Sequence, residues 1–404
     1  MVGLRLCLAF VALWVTVMAR DPEEDMTVPD IIRHWGYPAE AIQVTTADGY
    51  ILELHRIPWG KNSTSSDKGN RPVVFMQHGL EAASDNWVDN LPGESAGFLF
   101  ADAGFDVWLG NIRGNTYGKN HVSLDPKKKE FWAFSWDHMV QYDLETMIDY
   151  VLKTTGQDSL YYVGHSQGTL IMFSKLSEDQ NFAKKIRKFF ALAPVGSVKH
   201  VKGLLEYVGN YFYDEINIIG SILGDGEFLP SNWAMKLISD FVCGVFGGNE
   251  LCESIIFLLG GVDSIQLNST RIPVYVSHNP AGTSTQNVLH WAQMQRTGQV
   301  EKYDYRSSSK NQQHYNTSSP PKYDFTKVNA PVHLYWSDKD WLADKQDIQE
   351  WLIPNLPPQY LVENNFVEEF NHMDFIWGLH ATEKVYNPII KTVTEDWQKW
   401  QNSA

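Results

Sequence analysis

The sequence predicts an α/β fold: a mostly parallel sheet with helices on both faces, interrupted by one long insertion. Three observations carry this. Apolar runs such as 72–76 and 160–163 are continuous rather than alternating, as in strands buried on both faces. Stretches with helical spacing separate those runs. The alternation stops near Pro194 and resumes at Pro331, which marks the insertion.

In chain order, Arg5 followed by the apolar run 6–18 and the small-residue site Val17-Met18-Ala19 reads as a signal peptide over 1–19. That run falls short of the roughly 20 residues a spanning helix needs, and no later stretch qualifies. Residues 21–25 read as an acidic linker. Strands are expected at 41–46 and 50–56, across the turn Ala47-Asp48-Gly49. A polar loop at 61–70 precedes strand 72–76, which ends in Gln77-His78-Gly79-Leu80. Helix 96–103 and strand 105–109 follow. In 137–155, Val140, Leu144, Met147, Ile148 and Val151 recur at helical spacing, and Gly156 stops the helix. Strand 160–163, helix 169–176 and strand 188–192 come next.

Over 197–321 only short apolar segments appear (216–223, 241–246 and 255–259), broken by Gly and Asn. This stretch reads as a cap with a mobile lid over the C-terminal edge of the sheet; a second structural domain is the alternative. The core then comprises 20–196 and 322–404, the latter with strand 331–336, helix 344–352, strand 359–362 and a closing helix over 382–400.

The chain holds 33 Lys and Arg against 48 Asp and Glu, a formal charge of −15. No basic stripe could neutralise phosphates, which argues against nucleic acid. Of the 3 cysteines, Cys7 lies in the signal. Cys243 and Cys252 remain and are expected to pair in an oxidising compartment. The sequons at Asn62, Asn268 and Asn316 are candidate glycosylation sites.

Gly164-His165-Ser166-Gln167-Gly168 sits between a strand and a helix. A serine on such a turn projects its hydroxyl from the sheet edge, and the flanking glycines let neighbouring backbone approach. A serine hydroxyl needs a base, and the base needs a carboxylate to fix its tautomer. In α/β-hydrolases the order is serine, acid, histidine, which Ser166, Asp340 and His372 satisfy. Asp338 is the alternative acid, with Asp344 also nearby. Among other histidines, His333 reads as core, His165 should point away from Ser166 by strand alternation, and His380 falls on a helix. Two N–H groups should hold the oxyanion, those of Gln167 and of Leu80 in the loop after strand 72–76. No metal or cofactor is needed.

These residues resemble the acid lipases of animals, the group containing gastric and lysosomal acid lipase. The resemblance rests on Gln77-His78-Gly79-Leu80 with Asn86-Trp87-Val88, Asn111-Ile112-Arg113-Gly114-Asn115-Thr116, Phe131-Trp132-Ala133-Phe134-Ser135-Trp136, Gly164 to Gly168, Ser277-His278-Asn279-Pro280, Leu289-His290-Trp291, Asp340-Trp341-Leu342-Ala343-Asp344 and His372-Met373-Asp374-Phe375. It implies an α/β-hydrolase fold with cap and lid, a lid-region disulfide, glycosylation and hydrolysis of neutral-lipid esters. It also implies Ser166, Asp340 and His372 as nucleophile, acid and base, with Leu80 and Gln167 as oxyanion donors. The loop Trp336-Ser337-Asp338-Lys339-Asp340 is one residue shorter than the family's Gly-rich form, and a third lid cysteine is missing.

The expectation is therefore a secreted or lysosomal lipase, monomeric, acting on triacylglycerols or sterol esters at a lipid-droplet or membrane surface. A short-chain carboxylesterase and an inactive lipid carrier are the alternatives.

Overall fold

The structure, a computed structural model, describes residues 20–63, 71–203, 206, 226–228 and 265–403. The expected signal peptide, the apolar segments of 197–264, and Cys243 and Cys252 lie outside the described residues.

Strands β1 (Glu40–Thr45), β2 (Tyr50–Ile57), β3 (Val73–Gln77), β4 (Asp106–Gly110), β5 (Asn120–His121), β6 (Leu160–His165), β7 (Ile186–Leu192), β10 (Val332–Trp336) and β11 (Leu361–Phe366) form one sheet. Its order is β1-β2-β4-β3-β6-β7-β10-β11, with β5 beside β2. Pairing is antiparallel at β1/β2, β2/β4 and β2/β5. From β4 to β11 every neighbouring pair is parallel. The continuous apolar runs become β3, β4, β6 and β10, buried along their whole length. β11 alternates between half-buried and exposed, as an edge strand must when one face meets solvent.

After β3 the chain steps to one side to make β4, then returns to the other side of β3 to make β6. Such a reversal opens a crevice at the C-terminal strand ends, where α/β folds bind ligands. The Gln77–Leu80 loop leaves β3 into this crevice, and Ser166 follows β6.

The expected helix over 137–155 is composite: Trp136–His138, a π-turn Met139–Asp143, and Leu144–Thr155. Gly156 ends it at φ 71°, donating to the Leu152 carbonyl. The π-turn includes Asp143, a buried carboxylate that accepts from the Arg113 backbone N–H, Nε and Nη2 at 3.1, 2.9 and 2.6 Å. The same guanidinium donates to Asp48 and stacks 4.1 Å above the Tyr50 ring, fixing the loop after β4.

Two expectations require correction. Residues 21–25 are not a linker. Pro22–Asp25 is a 3₁₀ turn, and buried Glu23 accepts from Arg271 Nη1 and Nη2 at 2.9 and 2.7 Å and from Trp35 Nε1 at 3.1 Å. Acidic residues look solvent-exposed in sequence, but the buried guanidinium of Arg271, far along the chain, pairs with Asp21 and Glu23, and Arg20 pairs with Glu24 and Asp25. The insertion also holds regular helices, Ile272–His278, Thr285–Thr297 and Ser308–Tyr315, beside the small sheet β8 (Glu227–Phe228) and β9 (Thr283–Ser284). No apolar stripe announces them, because the buried face of Thr285–Thr297 includes Asn287 and Gln293, held by hydrogen bonds, and His290, whose Nε2–H donates to the Glu301 carbonyl while its ring stacks on Trp136.

Candidate active site

Ser166 adopts φ 51° and ψ −118°, a conformation that a non-glycine residue holds only when its surroundings impose it. Several contacts do so. Its N–H donates to the Leu192 carbonyl at 3.1 Å, and its carbonyl accepts from the Thr169 N–H and Oγ1 at 2.8 and 2.7 Å. Thr169 Oγ1 in turn accepts from the Val195 N–H at 2.8 Å. The flanking glycines are required by space: a Cβ on Gly164 would lie 2.9 Å from the Gly168 carbonyl carbon, and one on Gly168 would lie 2.4 Å from the Gln77 carbonyl oxygen. Helix Gln167–Glu178 starts at once, so the N–H of Gln167 belongs to its unpaired first turn.

The loop after β3 closes against this turn. A Cβ on Gly79 would meet Ser166 Cβ at 3.1 Å and Oγ at 3.6 Å, so Gly79 backbone faces the hydroxyl. His78 braces the loop from beneath. Its Nδ1–H donates to the Gly79 carbonyl at 2.9 Å, and Nε2 accepts from Asn115 Nδ2 at 3.1 Å. Burial pushes the His78 imidazole down to about 4, so this neutral donor–acceptor arrangement survives in mild acid.

Across the crevice, Asp340 follows β10 and His372 follows β11. His372 Nδ1 lies 3.0 and 2.9 Å from the two Asp340 oxygens, and both residues are buried. An ionised carboxylate can only accept, so Nδ1 carries the proton and Nε2 is left as the basic nitrogen. Asp340 Oδ1 also accepts from the Leu342 and Ala343 N–H groups at 2.8 Å each, which fixes the carboxylate plane. Asp338, the alternative acid, is exposed. Asp344 is turned to Lys202 at 2.5 Å.

His165 departs from expectation. It does not point away from the site: its ring packs 4.8 Å from that of His372, and its Nε2–H donates to the His372 carbonyl at 3.0 Å. Strand alternation fails here because the left-handed turn at Ser166 ends the strand. Burial, reinforced by the neighbouring His372, holds the His165 imidazole well below its ordinary range. His165 is therefore a neutral brace behind His372. His333 is buried on β10 with Nδ1 3.0 Å from Glu363, and His380 sits in a turn rather than on a helix.

A second serine–histidine–carboxylate arrangement escapes sequence reasoning. Ser84 Oγ lies 2.7 Å from His55 Nδ1, and His55 Nε2 lies 2.8 Å from Glu53 Oε1. Ser84 and His55 are fully enclosed, and Ser84 Oγ also accepts from Asn111 Nδ2 at 3.0 Å. No substrate can reach this hydroxyl; the chain of bonds ties the loop after β3 to β2. Nearby, Glu81 takes φ 58°, and both of its carboxyl oxygens are shielded from solvent. Burial pushes that carboxyl well above the usual range, only partly offset by the Gly282 N–H and Lys119.

The candidate glycosylation sites differ in setting. Asn62 and Asn316 are exposed. Asn268 is part-buried, and its Nδ2, the atom a glycan would occupy, donates to Glu94 at 3.1 Å.

Known proteins resemble this chain along most of its length. Residues 28–91 match the partial alpha/beta-hydrolase lipase region and residues 72–379 the alpha/beta hydrolase fold. The chain is 56% identical to lipase lipl-1 of Caenorhabditis elegans, covering 96% of this chain and 97% of that protein. It is 45% identical to human gastric triacylglycerol lipase (93% and 92% covered) and 45% identical to human lysosomal acid lipase/cholesteryl ester hydrolase (96% and 97% covered). Among solved structures, a putative lipase from Acinetobacter baumannii superposes with TM-score 0.51 at 13% identity (91% and 95% covered), and Vigna radiata epoxide hydrolase VrEH1 with TM-score 0.50 at 14% identity (88% and 98% covered). At such low identity these two speak for the fold alone. With relatives this similar along nearly its whole length, the chain belongs to the α/β-hydrolase lipase family that includes the gastric and lysosomal acid lipases.

Proposed function

We propose that the protein is a lipase that hydrolyses carboxylic esters of neutral lipids, triacylglycerols and sterol esters, through Ser166, His372 and Asp340. The observation that carries this is the buried Asp340–His372 pair, hydrogen-bonded at 2.9 Å beyond the same sheet edge that carries the strained Ser166 turn.

In the first step Ser166 Oγ attacks the ester carbonyl carbon while its proton passes to His372 Nε2. The carbonyl oxygen, now negative, is held by the N–H groups of Leu80 and Gln167. Donors already aimed at the developing charge do not reorganise during the reaction; removing one such donor costs about 10²–10³ in kcat. Collapse of the intermediate expels the alcohol, which takes the proton from Nε2, and leaves an acyl-Ser166. Water then attacks, gives its proton to Nε2, and the fatty acid leaves as Ser166 regains its hydrogen. Asp340 holds the imidazole tautomer and stabilises the imidazolium.

In this reading, residues 197–321 form the cap that receives acyl chains and meets the lipid surface. The N-terminal leader sends the protein to the secretory pathway, either the lysosome lumen or the exterior. The names of the gastric and lysosomal relatives fit that route, and no described helix is long and apolar enough to cross a membrane. Cys243 pairs with Cys252, and Asn62 and Asn316 are the more accessible glycosylation sites.

The test measures hydrolysis of triolein, cholesteryl oleate and a short-chain ester from pH 4 to 8, in wild type and Ser166→Ala, together with fluorophosphonate labelling. Turnover of the long-chain esters, lost with labelling in Ser166→Ala, supports the reading. Full activity in Ser166→Ala sinks it; turnover confined to short chains would reassign the protein as an esterase.

A further inference from the structure

The side chain of Gln167 plays no part in the scheme above, which uses only its N–H. Yet it is fully enclosed and makes three hydrogen bonds, two of them to the inserted segment. Its Oε1 accepts from Trp291 Nε1 at 2.8 Å and from Asn287 Nδ2 at 3.0 Å, and its Nε2 points to Met139 Sδ at 3.5 Å.

The carboxamide orientations follow from groups that can only donate. The Trp291 indole has no acceptor, so the Gln167 oxygen must face it. The Trp136 backbone N–H, likewise a pure donor, lies 2.8 Å from Asn287 Oδ1, which turns Asn287 Nδ2 toward Gln167. Asn287 is itself set by the helix start: its N–H donates to Ser284 Oγ at 3.0 Å, and Ser284 Oγ–H donates to the Phe134 carbonyl. Nδ2 has a second acceptor in Thr283 Oγ1 at 3.1 Å. The clamp is thus built from strand Thr283–Ser284 and helix Thr285–Thr297 of the insertion, and from the start of helix Gln167–Glu178 and segment 134–139 of the core, its bonded residues all buried.

We propose that Asn287 and Trp291 are positioning residues for ester cleavage: by clamping the Gln167 carboxamide they aim the adjacent Gln167 N–H at the oxyanion. This inference rests on the reading of Ser166 and Gln167 given above. The first residue of a helix has no intrahelical bond for its N–H, so little in the helix itself sets the peptide plane there. Catalytic groups must hold to about 0.5 Å and 10–20°. An anchored side chain on the same residue supplies that restraint, and it makes the inserted segment part of the catalytic geometry rather than only a cover.

Trp291→Phe keeps an aromatic ring and removes the donor. Gln167→Met keeps the length and removes the acceptor. The two variants and their combination are assayed on a soluble short-chain ester, with enzyme concentration set by active-site titration and folding checked by thermal melting. Affinity for an alkylboronic acid, whose tetrahedral adduct fills the oxyanion position, is measured alongside. We expect Trp291→Phe to lower kcat about tenfold with KM within about twofold, and boronate affinity to fall by a similar factor. The double variant should be little worse than either single one, because both remove one interaction. Merely structural damage would not confine the loss to kcat and boronate binding.

If Trp291→Phe does not yield folded enzyme, Asn287→Asp decides on the same criteria, since it keeps the acceptor for Trp136 N–H and loses the donor to Gln167. Wild-type kcat in the folded variant, or losses that multiply in the double variant, overturn the proposal. Activity retained in Ser166→Ala would instead sink the reading beneath it, so the two failures are distinguishable.

Discussion

Replacing Gly168 by alanine tests how tightly the turn is built. The added Cβ would lie 2.4 Å from the Gln77 carbonyl oxygen and 2.9 Å from that of His78. Carbon–oxygen contacts in proteins close to about 3.3 Å, so the two backbones must part by roughly 0.9 Å. Both obstacles are main chain, and no rotamer change relieves them. Overpacking of this kind destabilises by about 1–3 kcal/mol. The catalytic effect should be larger, because the displaced segment is the Gln77–Leu80 loop that faces Ser166. Misplacement near 1 Å costs about 10²-fold. Gly168→Ala should therefore fold with a lowered melting temperature and lose about two orders of magnitude in kcat on a short-chain ester. Gly93→Ala, with no atom within 4 Å of the new Cβ, is the control and should match wild type. A Gly168→Ala enzyme with kcat within threefold of wild type would refute the proposed tolerance of the site.

Further outcomes follow from other contacts. Asp340→Asn should preserve the fold and lower kcat by about 10⁴, since the amide favours the wrong histidine tautomer; a loss under tenfold would reassign the acid. Burial pushes the Asp85 carboxyl up to about 7. A raised carboxyl pKa favours the protonated folded state, so this group's stability is fully present below its ordinary pKa near 4 and is lost as pH rises to about 7. Asp85→Asn should thus gain on wild type by up to about 4 kcal/mol between pH 4 and 7 in denaturant titrations, and a flat difference would contradict this. Arg271→Met leaves Glu23 buried without its guanidinium and should destabilise by about 3–5 kcal/mol, read as a lowered denaturation midpoint.

Much of the sheet was legible in the sequence because strands such as Val73–Gln77 and Leu160–His165 are buried on both faces and so are written as unbroken apolar runs. The turn at Ser166 was legible for a related reason: two glycines are demanded where backbone meets backbone, and glycine has no substitute there. The order of serine, acid and histidine named Ser166, Asp340 and His372 as candidates. Sequence could only prefer Asp340 over Asp338, two residues apart in one loop. The tertiary structure turned the first to His372 and the second to solvent.

What stayed hidden has a common cause. Polar residues carry no sequence mark of the partner they will find. Asn287, His290 and Gln293 looked like the exposed face of no helix at all; Glu23 looked like linker; His165 looked turned away; Ser84, His55 and Glu53 gave no sign of meeting. Most are decided by a hydrogen bond to a residue far along the chain, as Asn287 to Gln167, Glu23 to Arg271, His165 to His372 and Ser84 to His55, and only folding brings those partners within 3 Å or so of one another. The sequence by itself thus determined the apolar frame and the conformationally restricted turn, because burial and steric exclusion act on residue type. The tertiary structure decided the polar networks that orient the site, because hydrogen bonds depend on where a partner stands.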